Sequence, residues 1–154
     1  MGIAIIALII APKKISGSLI THDHREVDSK KVDVPIEGDT IEIQRNTVYH
    51  PTQSQCQGNP LVTADMSIID LSKLKNRKLK WVALSRDLIK RWGGPINYGD
   101  TILIISEINP QLEGLWIVHD CMNARYDEAI DFLFHPSNNS GIKWPEKTDL
   151  KIIY

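Results

Sequence analysis

Cysteine is scarce in this chain, with two in 154 residues. Cys56 and Cys121 cannot build a disulfide framework, and without a Cys-x-x-Cys pair there is no zinc-binding signature. One bridge between them would need close Cα atoms, which sequence spacing alone does not set. A basic excess is missing too. The formal net charge is −1, which removes most of the electrostatic support for a nucleic-acid partner. The basic run from Lys73 to Lys80 is local and reads as a solvated surface. No internal repeat and no low-complexity segment is present. His50 and His119 lack a third residue at metal-ligand spacing, so no metal is expected.

Long hydrophobic runs are also lacking. Ile3 to Ala11 is continuously apolar but far shorter than the roughly 20 residues that span a bilayer. Lys13 and Lys14 follow it rather than precede it, and no small-x-small cleavage site comes after, as a secretory signal would require. Three readings stay open for this run: a buried strand, a trimmed or degenerate export segment, and a short membrane-associated anchor.

What is present is a globular composition, 42% hydrophobic and 24% charged, with length enough for one domain with a core. Residues 12 to 46 are polar, and Glu37-Gly-Asp39 reads as a turn. Thr40-Ile-Glu-Ile-Gln alternates as a half-buried strand does. We therefore divide the chain into an apolar segment and extended arm, residues 1–45, and a β-rich domain, residues 46–154. Strands are expected at Thr47–Tyr49, Leu61–Ala64, Lys80–Leu84, Thr101–Ile105, Leu115–His119, Ile130–Phe134 and Asp149–Tyr154. Ser85 to Trp92 reads as a short helix capped by Ser85 and stopped by Gly93-Gly94-Pro95. Short strands separated by turns argue for a mainly β fold, a small barrel with one or two short helices.

The most informative stretch runs from Trp116 to Phe134. Two apolar segments flank a polar loop, with Asp120 at the end of the first and Asp131 at the start of the second. A carboxylate at the junction of a rigid strand and a loop is held firmly yet reaches a cleft. A lone Asp at a strand end more often caps a turn. A pair in this setting points to acid–base chemistry.

The order of these features resembles the three-Asp ("3D") domain, a six-stranded double-psi β-barrel. That domain occurs in the membrane-bound lytic transglycosylase A family and in cell-wall-active secreted and phage proteins. The resemblance rests on Thr47-Val-Tyr49, Leu61-Val-Thr-Ala64, Trp81-Val-Ala-Leu84, Ile96-Asn-Tyr-Gly-Asp-Thr-Ile-Leu103, Val118-His-Asp120 and Ile130-Asp131-Phe-Leu-Phe134, and covers residues 46 to 154. Asp120 and Asp131 keep the family's eleven-residue interval. Two departures stand out. Ser85 follows Val82-Ala-Leu84 where the family has its first Asp, with Asp87 two residues on. Cys121-Met-Asn-Ala-Arg-Tyr-Asp-Glu-Ala129 replaces a glycine-rich loop.

The resemblance implies cleavage of the β-1,4 bond between N-acetylmuramic acid and N-acetylglucosamine in peptidoglycan. Asp131 matches the family's acid/base, and Asp120 is its like-charged neighbour or a hydrogen-bonding support. Asp87, Asn123, Arg125, Tyr49 and Trp92 are the expected substrate-binding residues. Trp116 is weighed as either sugar platform or core, with core favoured for an aromatic beside an apolar segment. His119, next to Val118, is expected on the outer face of its strand. The implied reaction uses only proton transfer, so no cofactor is expected. The implied partner is the peptidoglycan glycan strand, met in the cell envelope or periplasm, outside the cell, or in a phage context. The alternative is a non-catalytic barrel that binds cell wall or serves as a structural, phage-virion module, since fold alone does not settle function.

Overall fold

The computed structural model describes residues 37–138, 141–143 and 148–154. The run Ile3–Ala11 and most of the expected arm lie outside the described residues. Among the described residues, no helix is long and apolar enough to cross a membrane.

The fold is mainly β. Seven strands form one sheet: β1 (Thr40–Glu42), β2 (Arg45–Tyr49), β3 (Trp81–Leu84), β4 (Thr101–Ile105), β5 (Gly114–Cys121), β6 (Ala129–Leu133) and β7 (Lys151–Ile153). Their order across the sheet is β1-β7-β4-β5-β3-β6-β2. β2 with β6 and β3 with β5 run parallel, and the other neighbours are antiparallel.

The pairing leaves the sheet open, with β1 at one end and β2 at the other, rather than closed as the expected six-stranded barrel. The two end strands are halves of one bent run, parted at Ile43 and Gln44. Ile43 N–H donates to the Leu150 carbonyl at 2.9 Å, and Gln44 N–H donates to the Glu128 carbonyl at 2.8 Å. The first half thus follows β7 and the second half follows β6. Consecutive halves of one extended run cannot form a ladder with each other.

One face of the sheet carries the larger core. Val82 and Leu84 of β3, Trp116 and Val118 of β5, and Ile130 and Phe132 of β6 are all buried there. Trp116 meets Phe132 edge-on at 4.8 Å and donates its indole N–H to the Leu112 carbonyl at 2.7 Å, so its polar atom is satisfied. Trp116 is therefore core. The other face is smaller and holds Tyr49, Ala83, Met122, Ala129 and Leu133 over Leu74 of α1 (Leu71–Lys75). Asp70 caps that helix by accepting from Lys73 N–H at 3.0 Å.

Two expected elements differ. Leu61–Ala64 is not a strand. It makes an isolated bridge, Val62 opposite Ile68, in a loop folded on its own side chains. Thr63 Oγ1 donates to Asp65 Oδ1 at 2.7 Å, and Asp65 Oδ1 also accepts from Ser67 N–H at 3.0 Å. Short polar side chains of this kind satisfy backbone groups that a sheet ladder would otherwise take. Ser85 to Trp92 forms two 3-10 turns, Arg86–Leu88 and Lys90–Trp92, and Ser85 makes no side-chain cap. Its hydroxyl instead accepts from Ala129 N–H at 2.9 Å and ties this segment to β6. Gly93 does end the second turn, with φ of 101° in the left-handed region.

Candidate functional site

β6 is covered on both faces, and such strands read as continuous apolar runs. Its residues Ala129, Ile130, Phe132 and Leu133 obey that rule, and Asp131 breaks it. The carboxyl group points to the smaller face, where it lines an open cleft of about 540 Å³. Its Oδ1 is buried with no hydrogen-bond partner. Burial is the main reason its pKa rises from 3.8 to about 6. The nearby Asp120 charge adds to the rise, while a Thr47 hydrogen bond and His50 oppose it. A native structure seldom leaves a buried carboxyl oxygen unpaired without a reason.

Asp120 reaches the same cleft from β5. Ala83 of β3 is the register partner of both acids, Asp120 on one side and Asp131 on the other. The three residues form one row across β5, β3 and β6. At about 4.8 Å per strand step, the acids' Cα atoms lie roughly 10 Å apart. A methyl group is all that Ala83 places between them.

The placement of Asp120 depends on a β-bulge. Val82 pairs with Val118, but Ala83 pairs with Asp120, so His119 is one residue too many. In regular alternation Asp120 would share the face of Trp116 and Val118 and enter the larger core. The extra residue shifts the phase and turns Asp120 to the cleft. His119 lies on the face opposite Val118, as expected, but it is covered rather than outward. Its ring packs on Trp81 at 4.1 Å, and its Nδ1 lies 2.6 Å from Asp65 Oδ2 and 3.1 Å from Ser67 Oγ.

Those contacts pin the 61–69 loop over the site. From that loop Ala64 N–H donates to Asp120 Oδ1 at 3.0 Å, alongside Cys121 N–H at 2.9 Å. Tyr49 O–H donates to Asp120 Oδ2 at 3.3 Å. Burial raises the Asp120 pKa, and these three donors pull against it by stabilising the carboxylate. Tyr49 is itself held well above its ordinary value, by burial first and then by the two acid charges. The two carboxyl groups therefore differ. Asp120, though raised by burial, is engaged by three donors, while Asp131 keeps an unpaired oxygen and is raised to about 6. Divergent environments for two nearby acids are how proton-transfer roles are separated.

Of the expected residues, Tyr49, Asp120, Asn123, Arg125 and Asp131 line this one cleft. Asp87 and Trp92 do not. Asp87 Oδ2 accepts from Glu128 N–H at 3.0 Å, and Trp92 lies under the guanidinium groups of Arg86 and Arg91. Arg86, Cys56 and Cys121 line the cleft although the sequence reading did not assign them there. Both cysteines are free. Burial raises the Cys56 thiol pKa, which disfavours the reactive thiolate. Among the described residues, no three His, Cys, Asp or Glu side chains are grouped to hold a metal ion.

No protein-family model matches the chain, and a search of curated proteins returns no match.

Proposed function

We propose that the protein cleaves peptidoglycan glycan strands by a lytic-transglycosylase-like reaction, with Asp131 as the single acid/base, on a fold of the three-Asp double-psi barrel type. The observation that carries this reading is Asp131 itself: a buried carboxyl in a strand otherwise apolar, with one oxygen unpaired, facing an open cleft and raised to about 6. The bent run that joins β1 to β2 supports the barrel reading, because one chain segment links the two ends of the strand order.

In the proposed reaction the Asp131 carboxyl gives its proton to the glycosidic oxygen as the bond from that oxygen to the muramic acid C1 breaks. The muramic acid 6-hydroxyl bonds to C1, and its proton passes to the Asp131 carboxylate. A 1,6-anhydro ring forms, the acid is regenerated, and no water is consumed. A general acid must be protonated at the start, and burial serves that need. Asp120, held by Ala64, Cys121 and Tyr49, lies beside the positive character that develops at C1. Such a substrate places the protein in the cell envelope or outside the cell.

A second reading, wall binding without cleavage, is favoured by the 121–129 loop. It contains no glycine, so close backbone approach to a sugar is harder there. Incubation of intact peptidoglycan sacculi with the wild type and with Asp131→Asn separates the two. Release of soluble glycan by the wild type alone supports cleavage. Equal sedimentation of both proteins with sacculi and release by neither supports binding only.

A further inference from the structure

The cleft that holds the two acids is also lined by two cations, Arg86 and Arg125. They come from different elements, the 3-10 turn after β3 and the loop between β5 and β6. Neither makes an ion pair among the described residues, where the salt bridges join Lys73 to Asp70, His119 to Asp65 and Lys151 to Glu42. Asp120 on the cleft floor is engaged by backbone and hydroxyl donors instead. Each guanidinium is stacked on an aromatic ring: Arg86 over Trp92 at 5.2 Å and Arg125 over Tyr126 at 4.8 Å. Arg125 also donates to the Tyr126 hydroxyl at 2.7 Å. Stacking restricts a long side chain before any ligand arrives, so less entropy is lost on binding. The planar fork of a guanidinium matches a carboxylate with two parallel hydrogen bonds.

We infer that Arg86 and Arg125 form an anion-binding subsite in the cleft, and that the ligand is a carboxylate-bearing saccharide rather than a neutral one. The acid floor would repel a carboxylate, so the charged group seats at the two arginines while the uncharged glycosidic linkage lies over Asp131. A neutral glycan would leave both guanidinium charges without a counter-charge. The inference rests on the proposed glycan reading for the sugar, and on the arginines alone for the charge.

The test is a binding measurement on the full chain carrying Asp131→Asn, so that nothing is turned over. The probes are a peptide-free tetrasaccharide of alternating N-acetylglucosamine and N-acetylmuramic acid, and the same tetrasaccharide with its lactyl carboxylates methyl-esterified. The acid form should bind about tenfold tighter than the ester, on the scale of one charge-assisted pair. Adding Arg86→Ala or Arg125→Ala should bring the acid down to the ester's affinity and leave the ester's unchanged. Arg86→Lys should recover part of the loss. Both arginines are exposed, so circular dichroism and melting should match the parent. Equal affinity for acid and ester overturns the inference. So does a preference that survives loss of both arginines, or no binding of either probe. If the preference and its arginine dependence hold while the wild type releases nothing from sacculi, the anion-binding subsite stands and the cleavage reading alone falls.

Discussion

Asp120 and Asp131 stand on strands that do not pair with each other, yet both are register partners of Ala83. The floor of the cleft is thus one methyl group wide. Ala83 is nearly fully buried. Ala83→Leu should drive a branched side chain between the two acids. Overpacking of this kind costs about 1–3 kcal/mol. The expected outcome is a lowered urea midpoint together with loss of glycan release. A variant that keeps full activity would show that the row is not where substrate lies.

The bulge at His119 makes a separate prediction. Deleting His119 restores plain alternation and turns Asp120 toward Trp116 and Val118, where a charge has no partner. The deletion variant should not fold. His119→Ala keeps the residue count and loses the links to Asp65 and Ser67 and the packing on Trp81, a smaller change of about 1–3 kcal/mol. Urea unfolding of the two variants decides it. Equal stability would mean that the bulge does not set the face of Asp120.

Asp131 ties activity to pH and stability to the same group. Its folded pKa of about 6 lies above the ordinary 3.8. Between those values the folded protein holds a proton that the unfolded chain has lost, so stability falls as pH rises through this window. At 1.36 kcal/mol per pH unit the full effect is up to about 3 kcal/mol. Asp131→Asn removes the titration. Its stability relative to wild type should therefore grow from pH 4 to pH 7, as read by melting temperatures across that range. Wild-type glycan release should decline as pH rises through about 6, because the acid form is the starting form. A pH-independent difference between the two proteins would contradict the assignment.

Gly94 should tolerate no side chain. A Cβ there would fall 2.2 Å from the Leu88 carbonyl carbon and 2.3 Å from the Asp87 carbonyl oxygen, both backbone atoms. Gly94→Ala must push apart the turn that carries Arg86. A drop of several degrees in melting temperature is expected, by analogy with about 1–3 kcal/mol for overpacked sites. Gly93, with open space around it, differs in kind: its cost in an alanine variant comes from φ of 101° alone.

Much of this fold was legible because strands announce themselves. The runs at Lys80–Leu84, Thr101–Ile105 and Ile130–Phe134, each bounded by turn residues, became strands to within one residue at either end. The Asp pair was legible because polar residues are conspicuous beside apolar runs, and the structure brings the two together. Four things were not. A bulge adds one residue and leaves no composition signal, so the role of His119 was hidden. The 61–69 loop looked like a strand because Leu61-Val-Thr is β-favouring, but the hydrogen bonds among Thr63, Asp65 and Ser67 outcompete a ladder. Arg86 was hidden because Ser85 looked like a helix cap, which made the following residues read as one helix rather than the wall of a cleft. Strand closure is a matter of register between distant segments, and no local pattern states it.

The most direct test of the central claim is the mass of the soluble products released from sacculi. Transfer to the 6-hydroxyl gives muropeptides ending in a 1,6-anhydro ring, one water lighter than hydrolytic products. The wild type should yield anhydro products and Asp131→Asn none. Reducing-end products, or anhydro products that persist without the Asp131 carboxyl, would contradict the claim.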